Sequence, residues 1–183
     1  MVLVAVLPPD HVLDHAYRAQ DDLFRRYGLA STRALPPIIP VGYRGTSAQD
    51  TPPPPLSSSD WGFSPFQIAS VCVRDGHLIA ETTLAASCAQ LAVSLALPHP
   101  EETARESVPS FPLGSLFLGE AEDTASPKIS EPPLGTDALY VGLIRSASLI
   151  QIEIETAPSK TSWWHSVRWR ITELCRFRAA SPE

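Results

Sequence analysis

Apolar positions along this chain fall into runs of two different periods, with prolines punctuating them. Val2 to Leu7 is apolar without interruption, the pattern of a strand covered on both faces. After Pro8-Pro9-Asp10, the positions Leu13, Ala16, Tyr17, Gln20, Phe24 and Tyr27 recur at three-four spacing. That stripe predicts a helix from His11 to Tyr27, with Asp10 as its N-terminal cap and Gly28 as its left-handed stop. On the other side Asp14 with Arg18, Asp21 with Arg25 and Asp22 with Arg26 set an acid four residues before a base, the order that favours a helix. Leu35 to Tyr43 predicts a second strand. Phe66 to Val73 and His77 to Thr82 are rich in β-formers and meet at Arg74-Asp75-Gly76, which predicts a hairpin. Leu84, Cys88, Leu91, Ala92 and Leu95 form the apolar stripe of a helix from Leu84 to Leu97, closed by Pro98.

Three strand candidates end the chain. The first is Ala138 to Arg145. The second is Leu149 to Glu155, where Ile150, Ile152 and Ile154 alternate with Gln151, Glu153 and Glu155. The third is Trp163 to Phe177, where Val167, Trp169 and Ile171 alternate with Arg168, Arg170 and Thr172. Between the elements, Gly45 to Asp60 and Glu120 to Thr136 are rich in proline and serine and predict loops, and Glu101 to Glu106 a short acidic turn.

Composition narrows the class. The chain's 183 residues suffice for one domain, taken as residues 1–183, with a full core. A net charge of -6 argues against bulk electrostatic binding of nucleic acid and leaves room for a local basic patch. Cys72, Cys88 and Cys175 are odd in number and widely spaced, the usage of reduced core thiols. No apolar run approaches the roughly 20 residues of a membrane span, and the start lacks the basic region of a signal peptide, so the expectation is a cytoplasmic protein off the membrane, a monomer. His11 and His15 are four apart but have no third ligand in view, so neither a metal nor another cofactor is called for. The sequence holds no GxSxG, Walker loop, GxGxxG, HExxH or cysteine-histidine zinc pattern.

The first forty residues carry a resemblance. An apolar strand, Leu7-Pro8-Pro9, a helix ending in Arg26-Tyr27-Gly28 and a strand opened by Pro36-Pro37 stand in the order of the 2H phosphoesterase superfamily, the group of 2'-5' RNA ligase-like proteins and cyclic phosphodiesterases. The middle hairpin and the run Ser110 to Gly119 resemble later parts of the same pattern. The resemblance implies an α+β fold of two antiparallel-rich sheets forming a cleft, with helices packed outside. It also implies two histidines and two hydroxyls facing one another across that cleft. Here the first histidine position is Ile38 and the first hydroxyl position Pro40; the second pair falls on Leu113 and Ser115. Isoleucine and leucine have no proton to move near neutral pH, so the resemblance implies the architecture without its acid-base chemistry.

Three functions are therefore open. The leading one is a catalytically degenerate relative that binds RNA or a nucleotide phosphate, the ligand class the family implies. The others are an active phosphodiesterase or ligase-like enzyme using non-standard residues, and a structural partner of another protein. Near the C-terminus Trp164, His165, Arg168 and Arg170 mix aromatic and cationic groups of the kind that hold bases and phosphates, and they are the ligand-binding candidates. His165-Ser166-Val167 matches the family's histidine-hydroxyl-apolar string, although in the wrong strand.

Overall fold

A computed structural model describes residues 1–45, 64–97, 111–121, 139–140, 142–156 and 163–179. Apart from Gly45, Glu120 and Ala121, the two proline-rich loops lie outside these residues, as does the acidic turn at Glu101 to Glu106. The elements in chain order are β1 (Val2–Leu7), α1 (Asp10–Tyr27), β2 (Ile39–Gly45), β3 (Ile68–Arg74), β4 (His77–Thr82), α2 (Ala85–Ser94), β5 (Leu116–Glu120), β6 (Ser146–Glu155) and β7 (Arg168–Arg178). Short 3-10 turns cover Ala30–Arg33 and Trp163–Ser166.

The strands make two sheets, one of four in the order β2-β1-β6-β7 and one of three in the order β3-β4-β5. Every pairing is antiparallel. β1 lies between β2 and β6, which explains its unbroken apolar run: both of its edges and both of its faces are covered. Asp75 and Gly76 both take positive φ, 50° and 83°, and Arg74 pairs directly with His77. That is the two-residue turn whose twist suits a hairpin, and the Asp-Gly pair tolerates it.

Two cores sit on opposite faces of the sheets. The larger holds Val4, Val6, Leu78, Leu116 and Leu118 under α1 and α2. The smaller holds Leu3, Ala5, Ile150, Ile152 and Ile154 under the aromatic residues Phe111, Phe117, Trp163 and Trp164. The expected α+β class, two antiparallel sheets with helices outside, is what the chain adopts.

Several boundaries move. Asp10 is the first helical residue and Pro9 is the cap, without a side-chain hydrogen bond. α1 is turned by about one position from the expected stripe: Val12, Ala16, Ala19, Gln20 and Leu23 are buried, whereas Tyr17 is 47% exposed. The small Ala16 and Ala19 let the helix lie close to the sheets, and the bulkier Tyr17 is left on the flank. Asp21 and Asp22 do pair with Arg25 and Arg26. α2 ends at Ser94, earlier than expected, because Ala96 turns to φ 50° and the Leu97 N–H returns to the Ala92 carbonyl. No strand forms from residue 142 to 145; Ile144 alone bridges to Phe66, and the ladder opens at Ser146. The last strand begins at Arg168, because Trp163–Ser166 coils into a 3-10 turn that drops both tryptophans into the smaller core.

Candidate active site between the two sheets

The two sheets meet along the segments that the sequence resemblance singles out. Ile38 bridges to Phe117, whose N–H donates to the Ile38 carbonyl at 2.8 Å. The Gly114 N–H donates to the Pro40 carbonyl, also at 2.8 Å. β2 and the approach to β5 therefore lie side by side, as the two halves of a catalytic cleft would. Pro40 is accommodated because β2 ends its own sheet and the ladder shifts register between Val4 and Ala5. Gln20 closes the junction from the helical side, donating to the carbonyls of Leu35 at 3.3 Å and Leu118 at 3.2 Å.

At the motif positions the side chains pack. Ile38 is fully buried, Pro40 is buried and Ser115 is 4% exposed. Leu113 and Gly114 form a turn, with Gly114 at φ 72°, so this half of the motif is not presented on an extended strand. A Cβ on Gly114 would stand 2.7 Å from the Ala85 Cα, so the turn needs glycine twice over. Phe111 stacks edge-on against Phe117 at 5.0 Å and against Trp163 at 5.6 Å, and Trp163 meets Trp164 at 5.9 Å. Among the described residues, the junction between the sheets is covered by an aromatic cluster.

One polar network crosses that core. The Trp163 indole donates to Glu120 Oε1 at 3.0 Å. His77, beside Glu120 in the β4-β5 ladder, brings Nδ1 to 2.7 Å from Oε2, although the approach is not aligned as a hydrogen bond. Side-chain exposure is 11% for His77 and 13% for Glu120. The Glu120 backbone N–H donates to Ser31 Oγ at 2.9 Å. Nearby the Tyr43 hydroxyl accepts the Phe111 N–H at 2.6 Å. Burial pushes that phenol up to about 12; the Glu120 carboxylate adds to the rise and the Phe111 N–H opposes it. Glu120 thus ties the three-stranded sheet to the turn that precedes β7. Phe117, its ring 6.0 Å from that of His77, and Trp163 flank the pair.

Of the ligand-binding candidates, Arg168 and Arg170 share one face of β7, whereas Trp164 lies in the smaller core. Trp164 is 9% exposed, and its Nε1 has no hydrogen-bond partner among the described residues. His165 is exposed, its ring 5.9 Å from that of Trp164. Arg168 and Arg170 are exposed on β7, and Arg170 reaches Glu153 Oε2 at 2.8 Å. Ile171 packs against the smaller core, so its neighbour Arg170 points to the opposite face from it. His11 and His15 face the Tyr140 ring at 5.0 and 6.0 Å. The sequence places His77 as a hairpin residue after the Asp75-Gly76 turn and gives no sign of its contact with Glu120, which depends on a ladder that shifts register between Leu78 and Ile79.

The chain thus folds as two antiparallel sheets joined where β2 meets the approach to β5, with α1 and α2 over the larger core. Among solved structures the chain is similar to E. coli LigT in complex with 3'-AMP, at 16% identity and a TM-score of 0.50, over 98% of either chain. The apo form of E. coli LigT matches at 16% identity and a TM-score of 0.48, over 98% of this chain and 97% of that one. At such identity the likeness is one of fold. No family model matches the chain, and no curated protein matches it significantly.

Proposed function

We propose that this protein is a catalytically silent member of the 2H phosphoesterase-like class that acts as a binding module, with RNA or a nucleotide phosphate as its ligand class. The observation that carries this is Ile38: the position that the sequence resemblance gives to the first acid-base residue holds an aliphatic side chain, fully buried and bridged to Phe117. Each proton-transfer residue contributes roughly 10²–10⁴ to a rate, so losing both leaves little turnover to observe. The fold likeness to a protein crystallised with 3'-AMP supports a nucleotide as the ligand. Among the described residues no helix is long and apolar enough to cross a membrane. The test is hydrolysis of a 2',3'-cyclic nucleotide by the purified chain. No turnover above background is expected. Turnover abolished by His165→Ala or His77→Ala would show that other histidines have taken over the reaction.

A further inference from the structure

Among the described residues the junction between the sheets is lined by packed apolar and aromatic side chains, and the flank of α1 offers a different surface. On the outer flank of α1 a groove of about 870 Å³ runs between the helix and the segment from Thr32 to Pro36, with Trp169 of β7 at its side. That volume lies within the usual range for a small-molecule site. Tyr17 is 47% and Trp169 46% exposed, two of the large apolar side chains left open to solvent. Trp169 is held in place, its indole N–H donating to the Ala34 carbonyl at 3.1 Å, so its ring is fixed while a face stays available.

The charges of the groove are arranged around those rings. Arg18, Arg25 and Arg33 line it with Asp21 and Asp22. Both acids are already engaged: Asp21 contacts Arg25 at 2.7 Å and also Arg33, and Asp22 contacts Arg26 at 3.3 Å. Arg33 is further fixed with its guanidinium 4.0 Å above the Phe24 ring. Arg18 has no ion pair among the described residues and stands beside Tyr17. A ligand completing this surface brings a flat ring for the indole and an anion for the guanidinium.

We infer that the groove along α1 is a nucleotide-binding site, taking the base against Trp169 and Tyr17 and the phosphate at Arg18. The inference rests on the nucleotide class proposed above and gives it a location outside the cleft between the sheets. Stacking of a base on an aromatic side chain contributes about 1–3 kcal/mol, which is about a 5- to 150-fold change in affinity.

Calorimetric titration of the full chain with 3'-AMP, adenosine and inorganic phosphate tests it. 3'-AMP should bind more tightly than either fragment. Trp169→Ala should weaken 3'-AMP by about 5- to 150-fold, and Trp169→Phe should restore most of the loss. Arg18→Glu, on an exposed helix surface where folding is not at stake, should weaken 3'-AMP and flatten its salt dependence while leaving adenosine unchanged. Wild-type affinity in both Trp169→Ala and Arg18→Glu, or a loss appearing only in Arg168→Glu and Arg170→Glu, would overturn the groove and leave the nucleotide class standing. Failure of the wild-type chain to bind 3'-AMP at all would overturn both.

Discussion

The concave face between the sheets and the flank of α1 are built from opposite materials. The first packs Ile38, Phe111, Phe117 and Trp163 with one enclosed His77-Glu120 pair; the second leaves Tyr17, Trp169 and Arg18 facing solvent. The face at the motif positions is packed and contributes stability, whereas the flank of α1 offers charge and aromatic surface to solvent. Burial of the apolar and aromatic side chains at that junction stabilises the fold whatever chemistry the chain performs.

The sharpest way to break that contrast is to remove the plug. Trp163→Ala deletes a side chain 1% exposed and leaves Glu120 Oε1 without its indole donor. The expected cost is about 3–5 kcal/mol, read from denaturant unfolding at neutral pH. A cost under about 1 kcal/mol would mean that the concave face is loosely filled and open to a ligand after all.

Restoring the missing chemistry is the next test. Ile38→His with Leu113→His returns imidazoles to both motif positions. Ile38 is fully buried beside Leu3, Ala5 and Phe117, so an imidazole there lacks a partner and costs about 1–3 kcal/mol. No cyclic phosphodiester hydrolysis should appear, because Phe111 and Trp163 still exclude substrate and Pro40 supplies no hydroxyl. Appearance of turnover would show that the cleft opens and that histidine alone was missing.

Much of this was legible beforehand, and the exceptions have physical causes. Gly28 marked the end of α1, and Asp75-Gly76 marked the hairpin, because left-handed backbone is a local property that few residues tolerate. That Ile38 and Pro40 cannot move protons was legible too, since it depends on residue type and not on fold. The outward placement of Tyr17 was not, because two adjacent three-four stripes share α1 and packing chose the one carrying Ala16 and Ala19. Nor was the 3-10 turn at Trp163–Ser166: the alternation of Val167, Trp169 and Ile171 runs back to Trp163 by parity, and only the pull of the smaller core bends the chain there. The groove brings residues of α1 together with Trp169 from the far end of the chain, a proximity that no local pattern encodes.

Alkali probes the packed interior by titration. Tyr43 is shifted from 10.0 up to about 12, and Cys88, buried in the larger core under α2, from 9.0 up to about 12, in both cases chiefly by burial. Both groups favour the protonated form when folded. Their contribution is fully present below the unfolded-state pKa and is lost as pH rises toward the folded value, because the unfolded chain releases protons first. Stability should fall between about pH 9 and 12, with Tyr43 accounting for on the order of 2–3 kcal/mol of that slope. Tyr43→Phe should remove this share, visible as a shallower fall of unfolding free energy with pH and the loss of the latest phenolate absorbance change. It should also cost about 1 kcal/mol at neutral pH, because the Phe111 N–H loses its acceptor. An unchanged alkaline slope would mean that the Tyr43 hydroxyl is in contact with water.

The smallest effect sharpens the contrast from the outer side. Arg25 pairs with Asp21 at 2.7 Å with 72% of its side chain exposed, and Asp21 keeps Arg33 when Arg25 is gone. Arg25→Ala should therefore shift stability by no more than about 0.5 kcal/mol, measured by denaturant unfolding at low and moderate salt. If the flank is a binding surface, the same substitution should weaken 3'-AMP by more than it weakens the fold, since it removes a cation that lines the groove and frees part of the Asp21 charge to repel a phosphate. Equal and negligible effects on both would make Arg25 a solvated helix charge and narrow the phosphate contact to Arg18. A loss of stability well above 0.5 kcal/mol would instead show that the α1 ion pairs support the fold, removing the division between a structural interior and a surface free for binding.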